Sequence, residues 1–291
     1  MLRQYFAQSL LNSGVLSAEQ VRLLLETRTD HQARIEIRAL CQGVMKAEQI
    51  EKIKKRQKPD EDFAALAIAA GCMTESQRCS LEAMVPSTNW NFAQGMLDEH
   101  FVAGYSALEA LLTDYEAKET MAVGTAINQV AMKNVNFAEL EEECDLYSEY
   151  TDVFLRTLSR FMNIEAVINL TADPFIGEQS AITISQHLTG DIMLTTGIMA
   201  EEDVVLELAR RYSQENIEKA DALAVDSVAE FLNVTNGLYI VNLSNRHLNV
   251  DLDPYRSAYN VLPAGNKQLI LRIDTDCGSF DLILAADEII F

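Results

Sequence analysis

Glu230 and Asn233 stand three residues apart in the segment DSVAEFLNVTNGLYIVNLSNRHLNVDLDP, Asp226 to Pro254, and no other Glu in the chain is followed by an Asn at that distance. On a helix this spacing puts both side chains on one face. A carboxylate beside a carboxamide can dock a cation on a partner while orienting a water molecule. The residues around the pair read as an amphipathic helix, about Ala229 to Thr235, followed by a strand and a stop at Pro254. Asp226 is expected as the N-cap of that helix and Asn236 as a turn residue after it.

Other chemistries find less support in the residue types. Cys41, Cys72, Cys79, Cys144 and Cys277 form no CxxC pair, and His31, His100, His187 and His247 show neither HxxxH nor HExxH spacing. The cysteines read as reduced packing thiols, and no bound metal or cofactor is expected. No nucleophile, acid/base pair or phosphate-cradling glycine loop stands out in residues 1–118.

With 291 residues, 48% of them hydrophobic, the chain has room for two packed domains. No apolar run approaches the roughly 18 residues needed to cross a bilayer. The N-terminus runs straight into an amphipathic pattern without a small-residue cleavage site, so a soluble cytoplasmic protein is expected. The net charge of −21 is uneven: residues 1–118 carry 13 basic against 16 acidic side chains, and residues 119–291 carry 10 against 28. A field of that sign repels phosphodiester backbones, which argues against nucleic acid or an anionic membrane as a partner of the second half.

The first half repeats itself. GVLSAEQ at Gly14 recurs as GVMKAEQ at Gly43 and GCMTESQ at Gly71, with a weaker copy at His100-Phe101-Val102, at offsets of 29, 28 and 29 residues. Each Gly ends a helix in the left-handed conformation. Ser17 or Thr74 then caps the next helix, with Gln20 or Gln77 three positions on as in a capping box. Residues 1–118 are therefore expected to form four helical hairpins of about 29 residues, stacked as a small array that holds a protein partner. Lys46 at a capping position and His100 in place of Gly predict looser turns in the second and fourth units. The basic run Lys52 to Lys58 reads as a solvated helix end, partly neutralised by Asp60-Glu61-Asp62.

From about Thr120 the repeat is lost. Residues 119–144 read as an acidic linker or solvated helix. Glu149 to Met162 has helical spacing, with Phe154, Leu155, Leu158 and Phe161 on one side. Strands are expected at Ala166–Leu170, Ser180–Ser185 and Gly190–Thr196, then a helix from Glu201 to Tyr212. A closing hairpin, Leu269–Ile273 with Phe280–Leu284, is expected to turn at Asp276-Cys277-Gly278-Ser279. The fold class is thus all-α hairpin repeats followed by an α+β domain, residues 145–291, with a mostly antiparallel sheet.

That order of elements and the segment around Glu230-Phe231-Leu232-Asn233 resemble the CheC/CheX/FliY chemotaxis phosphatases, nearest CheX, over about residues 145–291. The family carries an E-x-x-N pair on a helix, followed by a turn and a strand that often ends at a Pro, and Asn236-Gly237 falls near the small residues that follow the pair. The resemblance implies hydrolysis of the phosphoaspartate of a CheY-like receiver domain, most commonly in chemotaxis. Asn233 would orient the attacking water and Glu230 would pair with the receiver's Lys. Mg2+ would come from the receiver. The resemblance also implies a homodimer paired through its sheets. Related proteins have a first copy of the motif where Glu149-Tyr150-Thr151-Asp152 stands here, and Asp152 occupies the Asn position, which leaves one intact pair. Two alternatives remain open: an adaptor that binds a receiver without hydrolysis, and a dimeric signalling scaffold in which the hairpins are the working part.

Overall fold

The computed structural model describes residues 6–26, 33–84, 88–118, 144–169, 181–261, 263–265 and 267–286. The chain divides into two compact units, Met1–Ala122 and Val123–Phe291. Of the expected linker at 119–144 all but Cys144, which is helical, lies outside the described residues, as do Leu170 and Ser180 of two expected strands.

The first unit contains eight described helices: α1 Phe6–Asn12, α2 Ala18–Glu26, α3 Ile35–Cys41, α4 Ala47–Lys54, α5 Phe63–Ala69, α6 Glu75–Ala83, α7 Thr88–Asp98 and α8 Tyr105–Lys118. The turns within successive helix pairs share one geometry. Gly14, Gly43, Gly71 and His100 have φ of 71, 68, 70 and 58°. After each, an N–H reaches back five residues, Val15 to Leu10, Val44 to Ala39, Cys72 to Ala67 and Phe101 to Met96, at 2.8–3.0 Å. The second and fourth turns are therefore not looser, contrary to expectation. His100 adopts the left-handed conformation despite its Cβ. At α4, which has no cap hydroxyl for the Gln49 N–H, two other donors of the first turn are satisfied: Gln49 Oε1 accepts from the Lys46 N–H at 2.8 Å, and Glu109 of α8 accepts from the Ala47 N–H at 3.1 Å. Ser17–Gln20 and Thr74–Gln77 close reciprocal capping boxes.

The helix pairs do not stack in sequence order. Helices α1 and α2 pack chiefly on α7 and α8, which pack in turn on α3 and α4, and these carry α5 and α6. The fourth pair is thus inserted between the first and the second. Phe6 meets Phe92 and Tyr115 edge-on at 6.4 and 5.4 Å, an aromatic contact that joins α1 to α7 and α8. The basic run is also more engaged than a solvated helix end. Lys54 Nζ lies 2.7 Å from the buried carboxylate of Glu36, while Asp62 caps α5 and pairs with Arg78 at 3.2 Å instead of neutralising the run.

In the second unit α9, Cys144–Met162, precedes β1 Ala166–Ile168, β2 Ala181–Gly190 and β3 Leu194–Glu201. Next come α10 Glu202–Ser213, α11 Ala222–Ser244, β4 Val250–Leu252, β5 Arg256–Tyr259, β6 Leu269–Thr275 and β7 Gly278–Ala285. The sheet runs β1-β6-β7-β3-β2-β4, with β5 also on β2, and every pairing between these strands is antiparallel. The three helices pack on one another and on the sheet. Strand alternation supplies the buried floor, Ile182, Ile184 and Leu188 on β2 opposite Ala200, Ile198 and Leu194 on β3. Above it Phe154 of α9 meets Phe231 of α11 at 5.7 Å and Phe280 of β7 at 6.1 Å.

Several sequence expectations shift. Phe154, Leu155 and Leu158 are buried as expected, but Phe161 is 40% exposed. The expected strand at Gly190–Thr196 straddles a turn at 191–193, where Asp191 and Asn249 bond each other's backbone. The closing turn is tighter than expected and falls at Asp276-Cys277, with Gly278 at φ 108° and the Thr275 hydroxyl bonded to its carbonyl at 2.6 Å. The largest correction concerns α11. The helix does not end near Thr235 with a strand after it; it runs 23 residues to Ser244. The apolar run Leu238 to Val241 suggests a strand by residue type. Burial of Leu232, Asn236, Tyr239 and Leu243 recurs at helical spacing instead.

A serine at position 46 would add the acceptor that the N-terminus of α4 lacks. Lys46→Ser is expected to stabilise the protein by about 0.5–1 kcal/mol in denaturant unfolding. No gain would mean that Gln49 and Glu109 already satisfy that helix end.

Candidate functional site

Helix α11 begins at Asp221, whose carboxylate accepts from the Leu223 N–H at 3.0 Å. Asp226 is therefore not the N-cap. It lies one turn inside, exposed, and accepts a hydrogen bond from the Tyr255 hydroxyl. Ala224, Val228, Leu232, Thr235, Tyr239 and Leu243 form the buried stripe, which leaves Glu230 exposed and Asn233 half-buried at the margin. Among the described residues the Glu230 carboxylate has no hydrogen bond or ion pair. The phenol of the neighbouring Tyr212 is raised, first by partial burial and then by the charge of Glu230.

Asn233 is held from behind. Gln186 on β2 donates from Nε2 to Asn233 Oδ1 at 3.0 Å and to the Asp253 carbonyl at 2.9 Å. Its Oε1 accepts from Asn236 Nδ2 at 2.8 Å, and Asn236 Oδ1 accepts from the hydroxyls of Tyr150 at 2.7 Å and Thr196 at 3.1 Å. The polarity of the whole chain follows from one group. A backbone carbonyl can only accept, so the nitrogen of Gln186 must face Asp253 and every later donor and acceptor is then fixed. Burial holds the Tyr150 phenol well above its ordinary pKa, so it remains protonated and donates. Asn233 therefore turns its carbonyl inward and leaves its amide N–H groups without an acceptor among the described residues.

Asn236 is not a turn residue. It is fully buried in the helix and is the centre of this network. Gln186, Thr196 and Tyr150 were not expected at the site either. One signal for Gln186 was present: it occupies an inward position of β2 between Ile184 and Leu188, where alternation calls for an apolar side chain. The loop after β4 is pinned at two points. The Asp253 N–H bonds the His187 carbonyl at 2.9 Å, and Tyr255 bonds Asp226.

The other candidate pair, on α9, is differently disposed. Glu149 is clamped by both terminal nitrogens of Arg246, at 3.2 and 2.5 Å, and Asp152 pairs with Arg156 at 2.7 Å. On α11 the exposed side around Glu230 also carries Asp226 and three apolar side chains, Leu223, Leu238 and Val241, at 53, 40 and 57% exposure. Gly237 completes that side. A glycine inside a helix costs about 1 kcal/mol relative to Ala.

No protein-family model and no curated protein matches the chain. Solved structures similar to it are CheX- and CheC-like chemotaxis proteins. A chemotaxis protein CheX from Desulfovibrio desulfuricans is 12% identical, covering 49% of this chain and 99% of its own, with a TM-score of 0.41. One from Vibrio vulnificus is 13% identical, covering 47 and 92%, with a TM-score of 0.40. A CheX–CheY complex with BeF3 and Mg2+ from Borrelia burgdorferi gives 16% identity over 49 and 97%, and a TM-score of 0.41.

Removal of Asn236 would take the buried partner from the Gln186 side-chain oxygen and the Tyr150 hydroxyl, and leave Thr196 only a long bond to the Gln186 backbone carbonyl at 3.4 Å. Asn236→Leu should destabilise the protein by about 3 kcal/mol or more, whereas Asn233→Ala, at the margin, should cost less than about 1.5 kcal/mol. Urea unfolding of the two variants checks this, and equal losses would contradict the division between a buried support and a displayed group.

Proposed function

We propose that the chain is a phosphatase for the phosphoaspartate of a CheY-like receiver domain, with residues 1–118 as a protein-interaction module. The observation that carries this reading is the pairing of an unengaged carboxylate, Glu230, with a carboxamide, Asn233, whose orientation is fixed from behind by Gln186. The resemblance of the E-x-x-N segment to the CheC/CheX/FliY family supports the same assignment. In that family's most common setting the pathway is chemotaxis and the protein is cytoplasmic and dimeric, and these are proposed here on the same basis.

The chemistry demands little of the phosphatase. An acyl phosphate is already activated, and the receiver supplies Mg2+ and a Lys that neutralise charge on the phosphoryl group. Among the described residues of this chain no group of three or more His, Cys, Asp and Glu side chains is placed to hold a metal ion. What the receiver lacks is a positioned nucleophile. Asn233 provides N–H donors and the second lone pair of Oδ1, enough to hold a water by two hydrogen bonds in line with the bond to be cut. The water oxygen bonds to phosphorus as the bond to the aspartyl oxygen breaks. The receiver's aspartate carboxylate is restored in place, inorganic phosphate is released, and the water's proton passes to the phosphate or to solvent. Glu230 pairs with the receiver's Lys and sets the docking register.

Asn233→Ala should slow loss of phosphate from a cognate receiver by at least about tenfold with little change in binding. Glu230→Gln should chiefly weaken binding and flatten its dependence on salt. Phosphate half-life and affinity are measured on the same samples. An Asn233→Ala variant as active as the wild type would remove the mechanism. Tight binding by the wild type with an unchanged phosphate half-life would make the chain an adaptor.

A further inference from the structure

Gly237 is a residue of α11 whose type nothing among the described residues requires. A Cβ built on it meets no atom within 4 Å, and its φ lies outside the left-handed region. Other glycines have a visible reason. Those at the helix-pair turns have positive φ, as does Gly190, while a Cβ at Gly197 would come within 3.1 Å of the Ile184 carbonyl. Position 237 also lies well inside a 23-residue helix, where glycine is the least favoured residue after proline. The helix is therefore weakened at a point where the described residues of its own unit gain nothing from the glycine.

The position has a definite relation to the candidate site. Residue 237 is one turn after Asn233 and two turns after Glu230, on the exposed side, and i,i+4 neighbours on a helix lie about 5–6 Å apart. The Asn side chain is short and the Glu side chain longer. For both to engage one partner, the helix backbone next to Asn233 must come closer to that partner than the backbone next to Glu230. A side chain at 237 would prop the helix away on the side where the reach is shortest.

We propose that Gly237 is a specificity-determining position, a bare stretch of helix backbone on which a phosphorylated receiver domain seats so that Asn233 reaches its acyl phosphate. This rests on the phosphatase function proposed above. The surroundings fit that occupant. From Val234 to Ser244 the helix carries no charged residue, so nothing there repels phosphoryl oxygens, and Glu230 supplies a negative charge to meet the receiver's cation, while the exposed Asp226 one turn before it is engaged by Tyr255. Exposed Leu238 and Val241 extend the contact as an apolar surface. A phosphoryl group held in the crevice at the strand ends of an α/β domain is recessed, which is the geometry that demands a close backbone approach.

The test uses the full-length chain, its Gly237→Ala and Gly237→Leu variants, and a panel of purified receivers. Each receiver is loaded with beryllofluoride and Mg2+ for binding and with phosphate for turnover. Gly237→Ala should raise Tm by about 2–4 °C, and Gly237→Leu should melt no lower than the wild type. Affinity for the beryllofluoride-loaded receiver should fall about threefold or more for Ala and about thirtyfold or more for Leu, with KM rising and kcat at saturation falling too, most for Leu, because a propped helix holds Asn233 short of the acyl phosphate. A Leu variant that binds within about twofold of the wild type would overturn the role of Gly237 and leave the phosphatase function standing. A Leu variant that melts lower would show that the fold itself requires the glycine, which also overturns the proposal. A wild-type chain that neither binds nor dephosphorylates any receiver would sink the phosphatase function and this proposal with it.

Discussion

The second unit depends on a buried run of carboxamides that ties β2 to α11. Gln186 and Asn236 face each other across the boundary between sheet and helix, with Tyr150 and Thr196 closing one end and the Asp253 carbonyl the other. Each such bond contributes only about 0.5–1.5 kcal/mol net, but each buried group left unmade costs about 1–3 kcal/mol. The network is therefore more a constraint than a source of stability. A helix can otherwise slide or rotate over an apolar sheet at modest cost. Rotation by one residue, about 100°, would here strand several polar groups at once. The rotation of α11 about its axis is fixed by Asn236, and that fixes which side chains face solvent.

From this follows the division of labour along the helix. Positions at the spacing of Leu232, Asn236, Tyr239 and Leu243 belong to the core, and those at the spacing of Leu223, Glu230, Gly237 and Val241 are left outside. Asn233 sits between the two sets. Its carbonyl takes part in the buried network while its amide is displayed, so the rigidity of the interior reaches the surface through one side chain. A group that must aim a water molecule needs that support, because a freely rotating amide would lose orientation as often as it gained it.

What could be read from the sequence was what local chemistry decides. The capping boxes at Ser17 and Thr74 depend on residues three apart, and so does the Glu230–Asn233 pair. The glycines at 14, 43 and 71 mark left-handed turns wherever they fold. What could not be read depends on partners far apart in the chain. Asn236 looks like a turn residue until Gln186 and Tyr150, 50 and 86 residues away, take its amide. Leu238 to Val241 look like a strand by residue type until the period of burial is known. In the first unit each turn is legible. That the fourth helix pair inserts between the first and the second is not, because similar pairs present similar apolar faces and the choice among them rests on contacts such as Phe6 with Phe92 and Tyr115.

The two carboxylates that begin the candidate pairs, Glu149 on α9 and Glu230 on α11, differ in their availability to a partner. Exposed ion pairs contribute little, about 0–1 kcal/mol, so the clamp of Arg246 on Glu149 matters less for stability than for availability. It occupies both oxygens of that carboxylate with intrachain donors. Asp152 compounds this. A carboxylate has no N–H to offer a water or a phosphoryl oxygen, and its negative charge opposes the approach of a phosphate. To open a second site, Glu149 would have to be released from Arg246 and position 152 given an amide. An E-x-x-N spacing supplies the groups, and the strand beneath the helix supplies their aim.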